Sequence, residues 1–154
     1  MTRDDAALIE RLEAEERELV LPKFDYDDAW TLGSTIVRLA AERDLAIAVD
    51  IRKGQQQVFH AAREGSNIDM SEWIARKIRT VVRFGASSYL IGRRFGGEFN
   101  AATTLPFTEY VAHGGAFPIR VAGVGIVGVV TVSGLPEQDD HALAVEGLRA
   151  LLGA

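Results

Sequence analysis

Cysteine is absent from this chain of 154 residues, and histidine occurs only three times. Without cysteine the chain forms no disulfide, no cysteine-ligated zinc site, no iron–sulfur cluster and no thiol nucleophile. No apolar run approaches the roughly 18 residues that a membrane span needs, and the N-terminus lacks the basic and apolar pattern of a leader. We therefore expect a cytoplasmic protein with no membrane partner.

Acidic residues are missing from Trp73 to Gly97 and are concentrated near the N-terminus. Residues 1–28 carry ten acidic and four basic residues, while the whole chain has a net charge of −5. A net negative chain with one short basic region argues against a nucleic-acid surface, so we expect no nucleic-acid partner. The basic region has the cations Arg76, Lys77, Arg79, Arg83, Arg93 and Arg94. Its helix face, formed by Arg76, Arg79 and Arg83, is interpreted as a solvated surface, as a partner of the acidic N-terminal helix, or as an anion site.

The size of the chain and its 47% hydrophobic content are typical of one globular domain. We expect residues 1–154 to form a single domain with an acidic N-terminal helix at about residues 3–18. The order helix, helix, strand, strand, helix, strand, strand, helix favours an α+β fold with a mainly antiparallel sheet. The predicted helices span about 3–18, 26–43, 71–84 and 136–153, with a short one at 87–94 and a loop at 95–109; the strands span 45–51, 57–62, 117–122 and 126–132.

Two glycine-rich motifs resemble those of enzymes but lack the context that their chemistry needs. The spacing Gly123-x-Gly125-x-x-Gly128 matches a dinucleotide fingerprint, yet the residues that follow have strand composition instead of helix composition. The segment His113-Gly114-Gly115 resembles an oxyanion loop, but the chain has no G-x-S-x-G nucleophile elbow. Neither a nucleotide enzyme nor a serine hydrolase is therefore indicated.

A set of ordered motifs resembles the haem-degrading domain family, which includes HbpS-like and GlcG-like proteins. The resemblance covers the chain from about Asp25 onward and is greatest for the cytosolic branch of that family. The motifs are Phe24-Asp25, Arg63-x-Gly65, Trp73-x-x-Arg76-Lys77 with Thr80, Ser87-Ser88-Tyr89, His113-Gly114-Gly115-x-Phe117-Pro118-Ile119, Gly125-Ile126-Val127-Gly128, Val132-Ser133-Gly134-Leu135-Pro136 and Asp139-Asp140-His141.

This resemblance implies a profilin-like α+β fold, self-assembly into a homo-oligomer and, for some relatives, haem binding. The chain departs from the family at Ile74, Ile78 and Val81, where small alanines are usual beside the lysine of the middle helix. These larger side chains reduce the space for a planar ligand. Haem iron would depend on His113, His141 or His60.

Three functions are weighed, and the first is an oligomeric domain that binds haem or a small anionic ligand. Its predicted site consists of Lys77, His113, Gly114, Gly115, Asp140 and His141, with His113 as the candidate iron ligand and backbone N–H groups of the glycines holding an anion. The second is a structural or interaction module that acts through self-assembly, with Phe95, Phe99 and Phe107 as interface candidates. The third is an enzyme on a small organic acid, with His113 as general base near Asp140.

Overall fold

The structure, a computed structural model, describes residues 2–100 and 103–153. Residues 101 and 102, which belong to the loop predicted at 95–109, lie outside the described residues, as do positions 1 and 154. The described chain forms five α-helices and five β-strands, and none of these helices is long and apolar enough to cross a membrane. The elements in chain order are α1 (Arg3–Glu18), β1 (Val20–Leu21), α2 (Tyr26–Glu42), β2 (Ala48–Lys53), β3 (Gln56–Ala62), α3 (Asp69–Phe84), α4 (Ser88–Arg94), β4 (Ala116–Val121), β5 (Gly125–Ser133) and α5 (Glu137–Leu151).

The predicted α+β class and the order of the principal elements are confirmed. The strands form one sheet in the order β1-β4-β5-β2-β3, in which every pair except β1 with β4 is antiparallel. The sequence pattern missed β1, because a strand of two residues is too short to show alternation. The glycine motif at 123–128 forms the β4–β5 turn and the start of β5, as its strand composition predicts.

Local sequence determines where several helices begin and end. The Asp25 carboxylate accepts a hydrogen bond from the Asp28 N–H, and Asp28 reciprocates, so that α2 begins with a capping box. Gly85 ends α3 with a left-handed φ of 73°. The predicted start of α3 at residue 71 is wrong: the helix begins at Asp69, and Ile68 precedes it without a side-chain cap.

The two faces of the sheet pack against different helices. On the α2/α5 face, buried side chains of the three strands β2, β4 and β5 meet α2 and α5 in the main apolar core. These strand residues are Val49, Ile51, Phe117, Ile119, Val130 and Val132. On the α3 face, a smaller cluster joins Ala116 and Val129 to Val81 and Ile78 of α3. The helix α1 packs on α4 through Leu12 and adds no side chain to either cluster.

Candidate functional site

The candidate site lies at the end of the sheet where β5 ends and β4 begins. The Val132 N–H donates to the Gly115 carbonyl at 2.9 Å, which brings the segment before β4 beside the end of β5. The first turn of α5 follows β5 closely, and α3 packs across the same end. Together these elements enclose a cleft of about 280 Å³. It is lined by Asn67, Asp69, Met70, Trp73, Lys77, His113, Gly114, Ser133, Gly134, Leu135, Glu137 and Asp140.

A buried ion pair connects α3, β5 and α5 at this cleft. The Lys77 Nζ donates to Asp140 Oδ2 at 3.0 Å and to the Val132 carbonyl at 3.1 Å, while Asp140 Oδ1 accepts from the Leu135 N–H at 2.9 Å. The two side chains are only 3% and 2% exposed. Burial lowers the pKa of Lys77 and raises the pKa of Asp140, and in each case it outweighs the attraction of the partner. Burial thus weakens the preference of each group for its charged form.

The two glycines before β4 are required by close packing. At Gly115 the φ angle is +138°, and a Cβ atom would lie 2.3 Å from the Val132 carbonyl and 2.7 Å from Lys77 Nζ. A Cβ at Gly114 would lie 2.7 Å from the Glu137 carbonyl oxygen. The Gly114 N–H already donates to Glu137 Oε1 at 3.2 Å, so it is not free to hold an anion as predicted.

The His113 imidazole contacts the cleft through a ring that is not held by hydrogen bonds. Its ring stands edge-on to Trp73 with 5.1 Å between the centroids. Its Nδ1 is buried without a partner, and no hydrogen bond to His113 occurs among residues 2–100 and 103–153. This histidine is therefore available to a ligand without loss of an existing bond.

The other two histidines are held by carboxylates outside the cleft. His141 is 3% exposed, its Nε2 lies 2.7 Å from Glu15 Oε1, and its ring packs beside Tyr89 and Phe117. His60 lies on β3, with Nδ1 3.2 Å from Asp50 Oδ2. Of the predicted site residues, the structure brings Lys77, His113, Gly114, Gly115 and Asp140 together, and it places His141 between α5 and α1 instead. The side chain of His141 is buried in packing that joins two helices, which explains its absence from the cleft lining.

The sequence reasoning missed the acidic side of the cleft. Asp69 and Glu137 line it with Asp140, and the Trp73 indole N–H donates to Asp69 Oδ2 at 3.2 Å. A signal was present, because positions 69, 73 and 77 are four residues apart and share one helix face. The carboxylates exceed the cations among the lining residues, which disfavours a small anion within the cleft.

The basic face of α3 does not pair with α1. The guanidinium of Arg76 lies 4.6 Å from the Trp73 ring and 5.1 Å from the Phe107 ring. Arg79 and Arg83 contact Glu109 and Tyr110, so this face covers the segment before His113. The acidic residues of α1 bind other cations: Glu13, Glu16 and Glu18 pair with Arg94, Arg120 and Arg149. Of the three interpretations of the basic region, pairing with the acidic N-terminal segment is thus wrong for the α3 arginines.

A metal site built from several side chains is not found in the part of the chain that the structure describes. Groups of three or more histidine, aspartate or glutamate residues that could hold a metal ion are absent there.

Comparisons with known proteins agree with the motifs. A UPF0303 protein of Streptomyces coelicolor is 51% identical over 155 residues, which covers 99% of this chain and 98% of that protein. The crystal structure of the Ybr137w protein is 32% identical with a TM-score of 0.88, covering 94% of this chain and 87% of that one. A structure of the PduOC:heme complex shares the fold, with a TM-score of 0.70, 18% identity and coverage of 82% and 94%.

The family profile described as haem degrading protein HbpS-like matches residues 24–149, which include every residue of the cleft. This chain belongs to the HbpS-like haem-degrading protein family.

Proposed function

We propose that this protein binds haem at the cleft, with His113 as the iron ligand. The observation that carries the proposal is the state of the three histidines. His113 contacts the cleft and makes no hydrogen bond within the described residues, whereas a carboxylate holds each of the other two. The family and the haem complex of a protein with the same fold support haem as the ligand.

The residues around His113 fit haem at the mouth of the cleft. The Trp73 ring offers an aromatic surface for the macrocycle, and Arg76 stacks on that ring with a guanidinium suited to a carboxylate. The volume of about 280 Å³ lies just below the usual range of roughly 300–1,000 Å³ for small-molecule pockets. A haem held here would therefore remain partly exposed. When bound, haem supplies an iron whose chemistry depends on its axial ligands and on the polarity of the pocket.

Lys77 does not fit the predicted role of holding the haem carboxylates. It is buried, and two of its three donors are bound to Asp140 and the Val132 carbonyl. The carboxylates of Asp69 and Glu137 line the same space and would repel a second anion. The propionates are therefore assigned to Arg76, outside the acidic part of the cleft.

The proposal is tested by titration of the purified protein with hemin and measurement of the Soret absorbance. The unmodified chain is expected to give a saturable shift at a defined stoichiometry, and His113→Ala is expected to abolish it. The matched control is His60→Ala, because His60 is exposed on the edge strand β3 and lies outside the cleft. A shift that persists unchanged in His113→Ala would overturn the assignment of the iron ligand.

A second candidate function is self-assembly through the β3 edge of the sheet. The strand β3 is at the edge of the sheet and contains neither a charged residue nor a proline, the usual devices that prevent edge pairing. Beside it the Trp30 side chain is 67% exposed, with its ring 5.6 Å from the Phe59 ring. Antiparallel pairing of this edge with a second copy of the chain would cover both the unpaired backbone of β3 and the exposed Trp30 side chain.

Native mass spectrometry at micromolar concentration tests this assembly. Dimers or larger species are expected for the unmodified chain, and Trp30→Glu is expected to dissociate them. Val82→Glu is the control, because Val82 is 71% exposed on α3 and distant in sequence from that edge. Detection of only the 16.8 kDa monomer in the unmodified protein would contradict the candidate.

A further inference from the structure

Lys77 has an unusual combination of properties for a lysine that lines a cleft. Its side chain is 3% exposed, and its ammonium would have three donors, of which two are bound by Asp140 and the Val132 carbonyl. No third partner occurs among the residues that the structure describes. One position on Nζ therefore remains for another molecule.

Space beside this position is maintained by a glycine. The missing Cβ of Gly115 would lie 2.7 Å from Lys77 Nζ, so any other residue would occupy the approach to the nitrogen. Gly115 immediately follows His113 and Gly114 of the cleft lining, and Asp140 lines the cleft from the opposite element, α5. An uncharged molecule that enters the cleft thus meets an amine next to a carboxylate.

Burial also shifts Lys77 toward the neutral amine, which is the nucleophilic form. Because burial lowers the pKa of Lys77 and raises the pKa of Asp140, it makes proton transfer between the two groups easier. Ordinary lysines, with a pKa of about 10.4, are protonated and unreactive near neutral pH.

We infer that Lys77 is a nucleophilic amine that forms an imine with small uncharged aldehydes or ketones in the cleft. The lone pair of Nζ attacks the carbonyl carbon, so that a C–N bond forms and the C=O double bond becomes a C–O single bond. One proton of the nitrogen passes through Asp140 to the resulting alkoxide, which gives a carbinolamine. The second proton of the nitrogen passes by the same route to the hydroxyl group, the C–O bond breaks, and water leaves as the C=N bond forms. No oxidant or reductant is needed. The inference rests on the proposed function only in requiring that ligands enter the cleft, and it does not depend on haem.

The three lysines of the chain, Lys23, Lys53 and Lys77, provide an internal comparison without mutation. The unmodified protein is treated at pH 7 with acetaldehyde and cyanoborohydride, which reduces each imine to a stable ethylamine. Peptide mass spectrometry then measures the rate at each lysine. We expect ethylation of Lys77 to be at least about tenfold faster than that of Lys23 or Lys53, since a lowered pKa leaves a larger fraction of the amine neutral at pH 7.

The same experiment in urea is the control for the fold. In the unfolded chain, the ethylation rate of Lys77 is expected to equal that of Lys23 and Lys53. If Lys77 still reacts faster in urea, its reactivity comes from the neighbouring sequence instead of the fold, and the inference is overturned. A rate for folded Lys77 equal to or below that of Lys53 would also overturn it. If hemin binding still requires His113 in that case, the proposed haem function stands and only this inference fails.

Discussion

The two faces of the sheet differ in what they bury. The α2/α5 face buries large apolar side chains, among which Phe117, Leu32 and Ile36 are fully enclosed. The α3 face has a small apolar cluster and several buried polar groups. Asp50 on that face, for example, is 1% exposed and binds Arg52, Gln57 and His60, while the Thr131 hydroxyl is buried without a partner.

This difference assigns separate roles to the two faces. Burial of apolar area supplies most of the stability of a domain, so the α2/α5 face is expected to contribute more of it than the α3 face. Polar groups in an enclosed site stabilise the fold only when they are paired, but they can act on a ligand. The candidate cleft accordingly forms beside α3, where packing is less apolar.

The largest expected effect is loss of packing on the α2/α5 face. Phe117→Ala removes a fully buried ring and is expected to lower the free energy of unfolding by about 3–5 kcal/mol, as measured by urea denaturation. The matched control is Phe107→Ala, because Phe107 lies against α3 and is 62% exposed. Similar losses in both variants would show that burial on the α2/α5 face is not what stabilises the fold.

Removal of only one member of the buried ion pair is expected to destabilise the fold more than removal of both members. Lys77→Met leaves the Asp140 carboxylate buried without its cation and is expected to cost about 3 kcal/mol of unfolding free energy. The double variant Lys77→Met, Asp140→Leu removes both charges and is expected to recover most of that loss. A double variant as unstable as the single one would show that the pair itself holds α3 against α5.

The cost of Lys77→Met is expected to depend on pH. The folded pKa of Asp140 is raised above its ordinary value of 3.8, and loss of the lysine charge raises it further. Between the unfolded and folded pKa values the folded chain binds more protons, so its stability falls as pH rises. The difference in unfolding free energy between the unmodified chain and Lys77→Met should therefore widen from about pH 4 to pH 7. A difference that narrows over that range would contradict the burial of the carboxylate.

A smaller effect is expected at the contact between α1 and His141, whose ring packs beside Phe117. Glu15→Ala leaves the buried His141 without its partner and is expected to cost about 1–3 kcal/mol in urea denaturation. Glu18→Ala removes an exposed pair with Arg149 and is expected to cost less than about 1 kcal/mol. Equal costs would show that His141 does not depend on α1.

Much of the fold could be predicted from local patterns, and part of the site could not. Helical periodicity and the Asp25 and Gly85 signals predict α2 and the end of α3, and apolar, β-rich runs separated by turn residues predict both hairpins. The sequence places Lys77 and Asp140 in one predicted site but does not predict that they pair, and the structure brings their Nζ and Oδ2 atoms to 3.0 Å across 63 positions of the chain. The sequence does not predict that Asp69 and Glu137 line the cleft, because acidic residues are common in the first turn of any helix.

The sequence by itself determined the α+β class, the order of the principal elements, the family and the absence of cysteine chemistry. These properties depend on local periodicity and composition, which neighbouring residues specify. Only the tertiary structure decided which histidine is available to a ligand, because the carboxylates that hold His141 and His60 come from other elements of the chain. It also decided that Lys77 is buried beside Asp140. Helix spacing in the sequence predicts which face of α3 carries Lys77, but it does not predict which residue of another helix packs against that face.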